Sequence, residues 1–332
     1  MTNITVLGAG AWGTSFGQVL ADAGNAVTMW AREPEIVEDI RDHHRNSCRL
    51  PVVEELPALM TATGDRAEAV KHAEIVVVAI AAQFARVALE EFRGLIPNNA
   101  IIVSLMKGIE RGTGKRMDEV VKEALNLPDG RFAALSGPNL SKEVAQRCPA
   151  GAVIASCNPY VALRVAQACQ TKYFKPFTSD DVIGVEMCGS MKNVVALAVG
   201  MSRGAGYGEN TAAMIETRGL NELKRLGIAA GAKAETFGGL AGFGDLVATC
   251  GSPLSRNFTF GYNLGQGMSV EEATKVSNGV AEGVPTATAV LALAKELRIS
   301  MPLATAVSHV INDGISFDEM MTELFGEEIT EE

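Results

Sequence analysis

The sequence predicts an α/β chain: an N-terminal doubly wound parallel sheet followed by an all-helical C-terminal domain. Three observations carry this. Short apolar runs alternate with helical stretches through the first half, the pattern of strands joined by helical crossovers. Runs such as Ile75-Val76-Val77-Val78-Ala79-Ile80 are apolar throughout, as expected of parallel strands covered on both faces. Beyond Ser179-Asp180-Asp181 the strand-like runs stop and helical periodicity takes over. At 332 residues the chain is long for a single core, and that cluster reads as a helix N-cap. The domains are therefore expected at 1–179 and 180–332.

The first strand is Ile4-Thr5-Val6-Leu7. Gly8-Ala9-Gly10-Ala11-Trp12-Gly13 follows it, and a helical pattern runs on from Thr14. Strand, glycine-rich turn and helix in that order suit a dinucleotide pyrophosphate. Gly8 permits the tight turn, Gly10 lets the backbone approach phosphate, and Gly13 lets the helix pack on the strand. The N–H groups opening the helix face the anion, helped by the helix dipole. A lone GxGxxG is a weak signal; the flanking strand and the second apolar run, Ala26–Trp30, make it specific. The first half is thus expected to be a Rossmann-type domain for a nicotinamide dinucleotide.

In that fold the end of the second strand reads the adenine ribose. A carboxylate there bonds the 2′-hydroxyl and repels a 2′-phosphate; an arginine does the reverse. Ala31-Arg32 follow Trp30, and Pro34 is expected to turn Glu33 outward. NADPH is therefore favoured over NADH; the plainer reading of Arg32 is a surface cation.

A polar, partly basic segment spans 39–49, and 67–72 reads as a short helix before the strand at 75–80. Helices are expected at 83–92, 115–124 and 159–168, and further strands at 100–104, 133–135, 152–155 and 174–177. In the second half, helices are expected at 182–200, 211–226, 257–266, 284–297 and 302–313. Gly238-Gly239-Leu240-Ala241-Gly242-Phe243-Gly244-Asp245 reads as a flexible loop.

Composition narrows the function. A net charge of −10 disfavours nonspecific nucleic-acid binding. No run approaches the ~18 uninterrupted apolar residues of a membrane span, and Met1-Thr2-Asn3 opens no signal-type segment. A cytoplasmic protein without a membrane span is expected. Six cysteines lack CxxC spacing and read as reduced, mostly buried thiols. His43 and His44 are adjacent and cannot share a helix face, so no metal site is expected.

Polar groups gather where an active site should form. Ser104-Leu105-Met106-Lys107-Gly108 and Ser136-Gly137-Pro138-Asn139 each follow a buried strand, where ligands bind in open α/β sheets. Lys192-Asn193 interrupts an apolar helical run. A lysine there either snorkels to solvent or lines a cleft, where burial or a cation such as Lys107 would lower its pKa and suit it to proton transfer. Asp245 is a helix cap or a catalytic carboxylate. Ser255-Arg256-Asn257 opens a helix, as plain capping by Ser255 or as a phosphate site.

In order and spacing, Gly8–Gly13, Lys107-Gly108, Ser136-Gly137-Pro138, Lys192-Asn193, the segment 239–246 and Ser255-Arg256-Asn257 resemble bacterial NAD(P)-dependent glycerol-3-phosphate dehydrogenases over nearly the whole chain. The resemblance implies reversible reduction of dihydroxyacetone phosphate to sn-glycerol 3-phosphate with NADP or NAD, supplying phospholipid synthesis. It implies Lys192 as proton donor and acceptor. Lys107 would touch substrate and cofactor, with Gly137 and Asn139 against substrate and Ser141 against cofactor. Asp245, Ser255, Arg256 and Asn257 would complete the substrate site, Asp245 orienting a substrate hydroxyl or Lys192, and Arg256 also touching cofactor. Val280 and Glu282 would lie on the nicotinamide side; Gly8, Gly10, Ala11, Trp12, Gly13 and Arg32 would hold the rest of the dinucleotide. Asn139 departs from the Ser or Thr usual after Gly-Pro, though Asn can still donate a hydrogen bond there. Two alternatives are another Rossmann-plus-helical dehydrogenase, of the β-hydroxyacid or 6-phosphogluconate type, and a non-catalytic nicotinamide sensor. The helix start at Ser255 argues against the first, and the two lysines with Asp245 against the second. A homodimer is expected from how commonly such proteins pair.

Overall fold

The structure, a computed structural model, describes residues 1–277 and 281–325. Its chain divides into two compact units: Met1–Lys107 with Lys115–Glu186, and Gly108–Gly114 with Met187–Glu332.

The first unit holds an eight-stranded sheet. Its strands are β1 (Asn3–Leu7), β2 (Ala26–Trp30), β3 (Met60–Thr63), β4 (Ile75–Val78), β5 (Ile101–Ser104), β6 (Phe132–Ser136), β7 (Ala150–Ala155) and β8 (Phe174–Ser179). They lie in the order β3-β2-β1-β4-β5-β6-β7-β8. Strand order reverses beside β1, so the turn after β1 opens at the topological switch point, where such sheets bind ligands. The strands β1, β4 and β5 are buried along nearly their whole length, as their unbroken Val and Ile content requires.

The sheet is not wholly parallel, a correction to the sequence reading: β7 runs antiparallel to β6. The connection between them holds only the short helix Ser141–Ala145. One turn of helix cannot carry the chain back along the strand, so it re-enters the sheet in the opposite sense.

In the first unit two further elements were not expected. Strand β3 sits at the sheet edge and alternates buried and part-exposed residues; its sequence Met-Thr-Ala-Thr offers no apolar run to detect. Helix Pro34–His43 buries only Ile36, Val37 and Ile40. Its opening proline suits the first helical position, and His44 closes it in the left-handed conformation at φ 50°.

Helix Ala11–Asp22 packs on the sheet through Phe16, Val19 and Leu20, with Phe16 edge-on to Phe174 at 5.9 Å. Two of its polar residues hold the helix after β6: the Ser15 hydroxyl donates to the Ser141 carbonyl at 2.9 Å, and the Gln18 amide to that of Ala145 at 3.0 Å.

Among the described residues from Met187 on, the second unit's regular elements are all helices, while 108–114 form a loop. Its long helix Val182–Gly204 is apolar and long enough to cross a bilayer by composition, but 89% of its apolar window is buried inside the structure. It crosses helix Arg256–Gly265 backbone to backbone. A Cβ at Gly200 would stand 2.1 Å from the Phe258 carbonyl oxygen, and one at Gly261 2.1 Å from that of Leu197. Only glycine fits such a crossing, and the crossing fixes where the Ser255-Arg256-Asn257 corner stands along the helix of Lys192. Helix Pro302–Asn312 is capped by Glu222, whose buried carboxylate accepts the N–H groups of Leu303 at 2.6 Å and Ala304 at 3.2 Å.

The segment expected as a flexible loop at 238–245 is also corrected. It follows helix Ala234–Phe237, forms a wide helical turn over Leu240–Gly244, and enters helix Asp245–Cys250. Gly242 permits this by packing on the Phe237 backbone, where a Cβ would meet the carbonyl oxygen at 2.2 Å. The thiols are corrected in part: Cys169, Cys188 and Cys250 are buried, whereas Cys48, Cys148 and Cys157 are exposed.

Candidate active site

In the first unit the candidate residues line the sheet edge where β1, β4, β5 and β6 end. Gly8 turns the chain at φ +110°, and its N–H bonds the Trp30 carbonyl at 3.0 Å. A Cβ on Gly8 would meet the Ala79 carbonyl oxygen at 2.6 Å, and one on Gly13 the Gly8 oxygen at 2.2 Å. These two glycines are packing requirements. Gly10 differs: a Cβ there would meet nothing within 4 Å, and Gly10 stands as N-cap of helix Ala11–Asp22 with no side chain bonded to the helix start. Open space before unsatisfied helix N–H groups fits a pyrophosphate. Beside it, the buried Trp12 Nε1 has no hydrogen-bond partner among the described residues.

Asn46, which the sequence did not point to, holds this turn. It is buried, and its amide donates to the Ala9 carbonyl at 2.9 Å and the Thr14 hydroxyl at 2.8 Å. An asparagine inside a polar segment gives no such signal without the fold. Arg32 follows β2, is exposed, and has no ion pair or hydrogen bond to another described residue. Glu33 is half-buried and stands 3.8 Å from the Arg49 guanidinium.

Lys107 stands past the end of β5, with its Nζ 3.2 Å from the Gly137 carbonyl oxygen. Gly137 itself lies tight against β7, where a Cβ would meet the Gly151 oxygen at 2.8 Å. The Asn139 amide donates to that same oxygen at 3.0 Å, while its own buried Oδ1 accepts no bond from a described residue. Lys107, Gly137 and Asn139 are thus one cluster, with Ser141 opening the next helix.

In the second unit Lys192 does not snorkel. It is 7% exposed, and its ammonium ion-pairs with Asp245, which is 1% exposed. It also donates to the Thr249 hydroxyl at 2.7 Å, and that hydroxyl donates to the Asp245 carbonyl at 2.6 Å. Thr249 was not foreseen. It lies four residues after Asp245 on helix Asp245–Cys250, and that spacing shares one face. The signal was hidden because the segment leading to it read as a loop.

Ser255 caps helix Arg256–Gly265, its hydroxyl accepting the Phe258 N–H at 3.3 Å. Arg256 opens that helix, exposed and unpaired among the described residues. Asn257 is buried and accepts the Gly283 N–H at 2.9 Å, tying the two helix starts together. Gly283 in turn packs on the backbone of Asn193, next to Lys192, where a Cβ would meet the carbonyl oxygen at 2.6 Å. Glu282 precedes Gly283 at this junction. Val280 lies outside the described residues. The unit thus joins two helix starts through Asn257, sets one of them against the backbone beside Lys192, and opens the other with an arginine unpaired among the described residues.

Two family models match the chain: the N-terminal part of NAD-dependent glycerol-3-phosphate dehydrogenase over residues 3–162, and its C-terminal part over residues 181–322. A protein of Bifidobacterium longum subsp. infantis named glycerol-3-phosphate dehydrogenase [NAD(P)+] is 73% identical over 330 residues, 99% of each chain. One of the same name from Corynebacterium kroppenstedtii is 50% identical over 98% of each. The crystal structure of glycerol-3-phosphate dehydrogenase from Coxiella burnetii superposes with a TM-score of 0.93 at 33% identity, covering 98% of this chain and 99% of that one. The chain belongs to the NAD-dependent glycerol-3-phosphate dehydrogenase family.

Proposed function

We propose that this chain interconverts dihydroxyacetone phosphate and sn-glycerol 3-phosphate with NADP or NAD. The observation that carries the reading is the buried Lys192–Asp245 pair, set in a chain that two models of this family match nearly from end to end. A buried lysine on a buried carboxylate costs desolvation that a purely structural helix avoids.

When bound, the reduced nicotinamide supplies the electron pair and hydrogen that turn the ketone carbon into an alcohol carbon. The protein supplies the rest. Lys192, as an ammonium, hydrogen-bonds the ketone oxygen, offsets its growing negative charge and delivers a proton to it. Asp245 and Thr249 fix the direction of the nitrogen. Once Lys192 has given up its proton, the buried Asp245 carboxylate has lost the charge it faced, which favours taking a proton back. In the reverse reaction the same nitrogen removes the hydroxyl proton.

Arg256 and the helix start behind Ser255 hold the substrate phosphate, as helix N-termini with an arginine do. Asn257, Gly137 and Asn139 complete the substrate contacts, and Lys107 reaches substrate and cofactor. Residues 1–179 carry the dinucleotide through Gly8, Gly10, Ala11, Trp12, Gly13, Arg32 and Ser141, and residues 180–332 carry the substrate. Arg256, Val280 and Glu282 add cofactor contacts. Arg32 favours NADPH over NADH. In this reading the enzyme works in the cytoplasm as a homodimer and feeds phospholipid synthesis.

The test is absorbance at the reduced-nicotinamide band. Dihydroxyacetone phosphate should drive oxidation of NADPH, and of NADH more weakly. No substrate-dependent oxidation of either overturns the reading.

A further inference from the structure

The segment after helix Pro34–His43 is pinned between the two ends of the dinucleotide site. Asn46 bonds the glycine-rich turn through the Ala9 carbonyl and the Thr14 hydroxyl. The Ser47 N–H bonds the Asp39 carboxylate at 2.7 Å, and the Leu50 N–H the Asn46 carbonyl at 2.7 Å, with the Leu50 side chain buried. The Arg49 N–H is held by the Asn46 Oδ1 at 3.2 Å. From this fixed turn Arg49 reaches back to Glu33, 3.8 Å away, with both side chains nearly half exposed. Glu33 lies three residues beyond the end of β2, close to where this fold presents a carboxylate to the adenine ribose. A bare carboxylate there repels a 2′-phosphate.

We propose that Arg49 is a cofactor-selecting residue: by pairing with Glu33 it cancels the carboxylate beside the adenine ribose and, with Arg32, admits the 2′-phosphate of NADP. This rests on the dinucleotide reading given above. Arginine carries five N–H donors, enough to hold Glu33 and a phosphate oxygen together. Arg32 alone would face a 2′-phosphate with the adjacent carboxylate opposing it; the second cation removes that opposition. NADH has no 2′-phosphate to be repelled and stands to gain only one bond from Glu33 to its 2′-hydroxyl when Arg49 is removed.

A double-mutant cycle on the full-length protein tests this, read as dissociation constants for NADPH and NADH from nicotinamide fluorescence, without substrate. Competition by 2′,5′-ADP against 5′-AMP isolates the adenine end. Arg49→Ala should weaken NADPH and 2′,5′-ADP about tenfold while NADH stays within about twofold, the scale of one lost charge-assisted bond. Glu33→Gln alone should change NADPH by no more than about twofold, yet recover at least about threefold when added to Arg49→Ala. Arg49→Lys, which keeps the charge, should fall between. Strictly additive effects overturn the proposal, as does equal weakening of both cofactors or a wild type that binds NADH alone. Because the Glu33→Gln arm leaves Arg49 in place, a folding defect in Arg49→Ala is detected by its melting curve and replaced by the Arg49→Lys arm, whose unchanged cofactor ratio also overturns it. A wild type that binds neither dinucleotide sinks the functional reading as well; tight binding with a flat cycle sinks this inference alone.

Discussion

At the scale of single residues, Lys192 carries two roles that can be pulled apart. It is the proposed proton donor, and it is half of a buried ion pair. Lys192→Ala should lower turnover by ~10² or more, while NADPH affinity, in which Lys192 is given no part, stays within about twofold. The same change removes the buried cation that faces Asp245, a loss of about 3–5 kcal/mol. Adding Asp245→Leu to Lys192→Met removes both charges, so much of the melting temperature should return while activity does not. Recovery of activity with stability would remove Lys192 from the chemistry. Thr249→Val tests the third member: losing one hydrogen bond to Lys192 should cost about five- to tenfold in kcat with KM little changed. A rise in KM alone would make Thr249 a substrate contact. Lys192 was legible in the sequence because a lysine in an apolar helix is costly. Thr249 and Asn46 were not, since threonine and asparagine in polar company are ordinary, and only the fold shows which groups they reach.

At the scale of elements, most strands and long helices could be read from the sequence because their apolar residues keep one period from end to end. Strand β3 could not, since an edge strand needs no unbroken apolar run. The wide turn at Leu240–Gly244 could not, because its glycines serve close packing and glycine in a sequence signals a loop equally well. The crossing of Val182–Gly204 with Arg256–Gly265 is the element-scale counterpart of the buried Lys192–Asp245 pair. Gly200→Ala should push the two helices apart, lower stability by about 1–3 kcal/mol and raise KM for dihydroxyacetone phosphate as the Arg256 corner shifts. Gly238→Ala is the control: its Cβ would meet only the Glu235 carbonyl oxygen at an ordinary 3.8 Å, and its melting temperature should be close to that of the wild type. Equal melting for the two variants would show that the crossing tolerates a Cβ.

At the scale of the whole molecule, the change from strand to helix midway was visible in the pattern of apolar residues, whereas a buried carboxylate such as Glu222 was not. Glu222 sits on helix Glu209–Ala229 and caps helix Pro302–Asn312. Burial is the largest influence on it and outweighs the two backbone N–H groups, pushing its pKa from 4.5 to about 7. A folded-state pKa above the unfolded value means the folded chain binds the extra proton. The stability contributed is fully present below pH 4.5 and is lost as pH rises through about 7. A shift of that size corresponds to roughly 3–3.5 kcal/mol at most. Other groups titrate in the same window, so the wild type alone cannot isolate the effect. Glu222→Gln keeps the shape and cannot ionise. Its melting temperature relative to wild type should therefore rise as pH is raised from 5 to 8, with most of the change between pH 5 and 7. A difference that stays flat across that range, or runs the other way, would mean that the two helix N–H groups hold Glu222 as a carboxylate despite its burial. The cap would then be an anion stabilised by the helix dipole at every pH the enzyme meets.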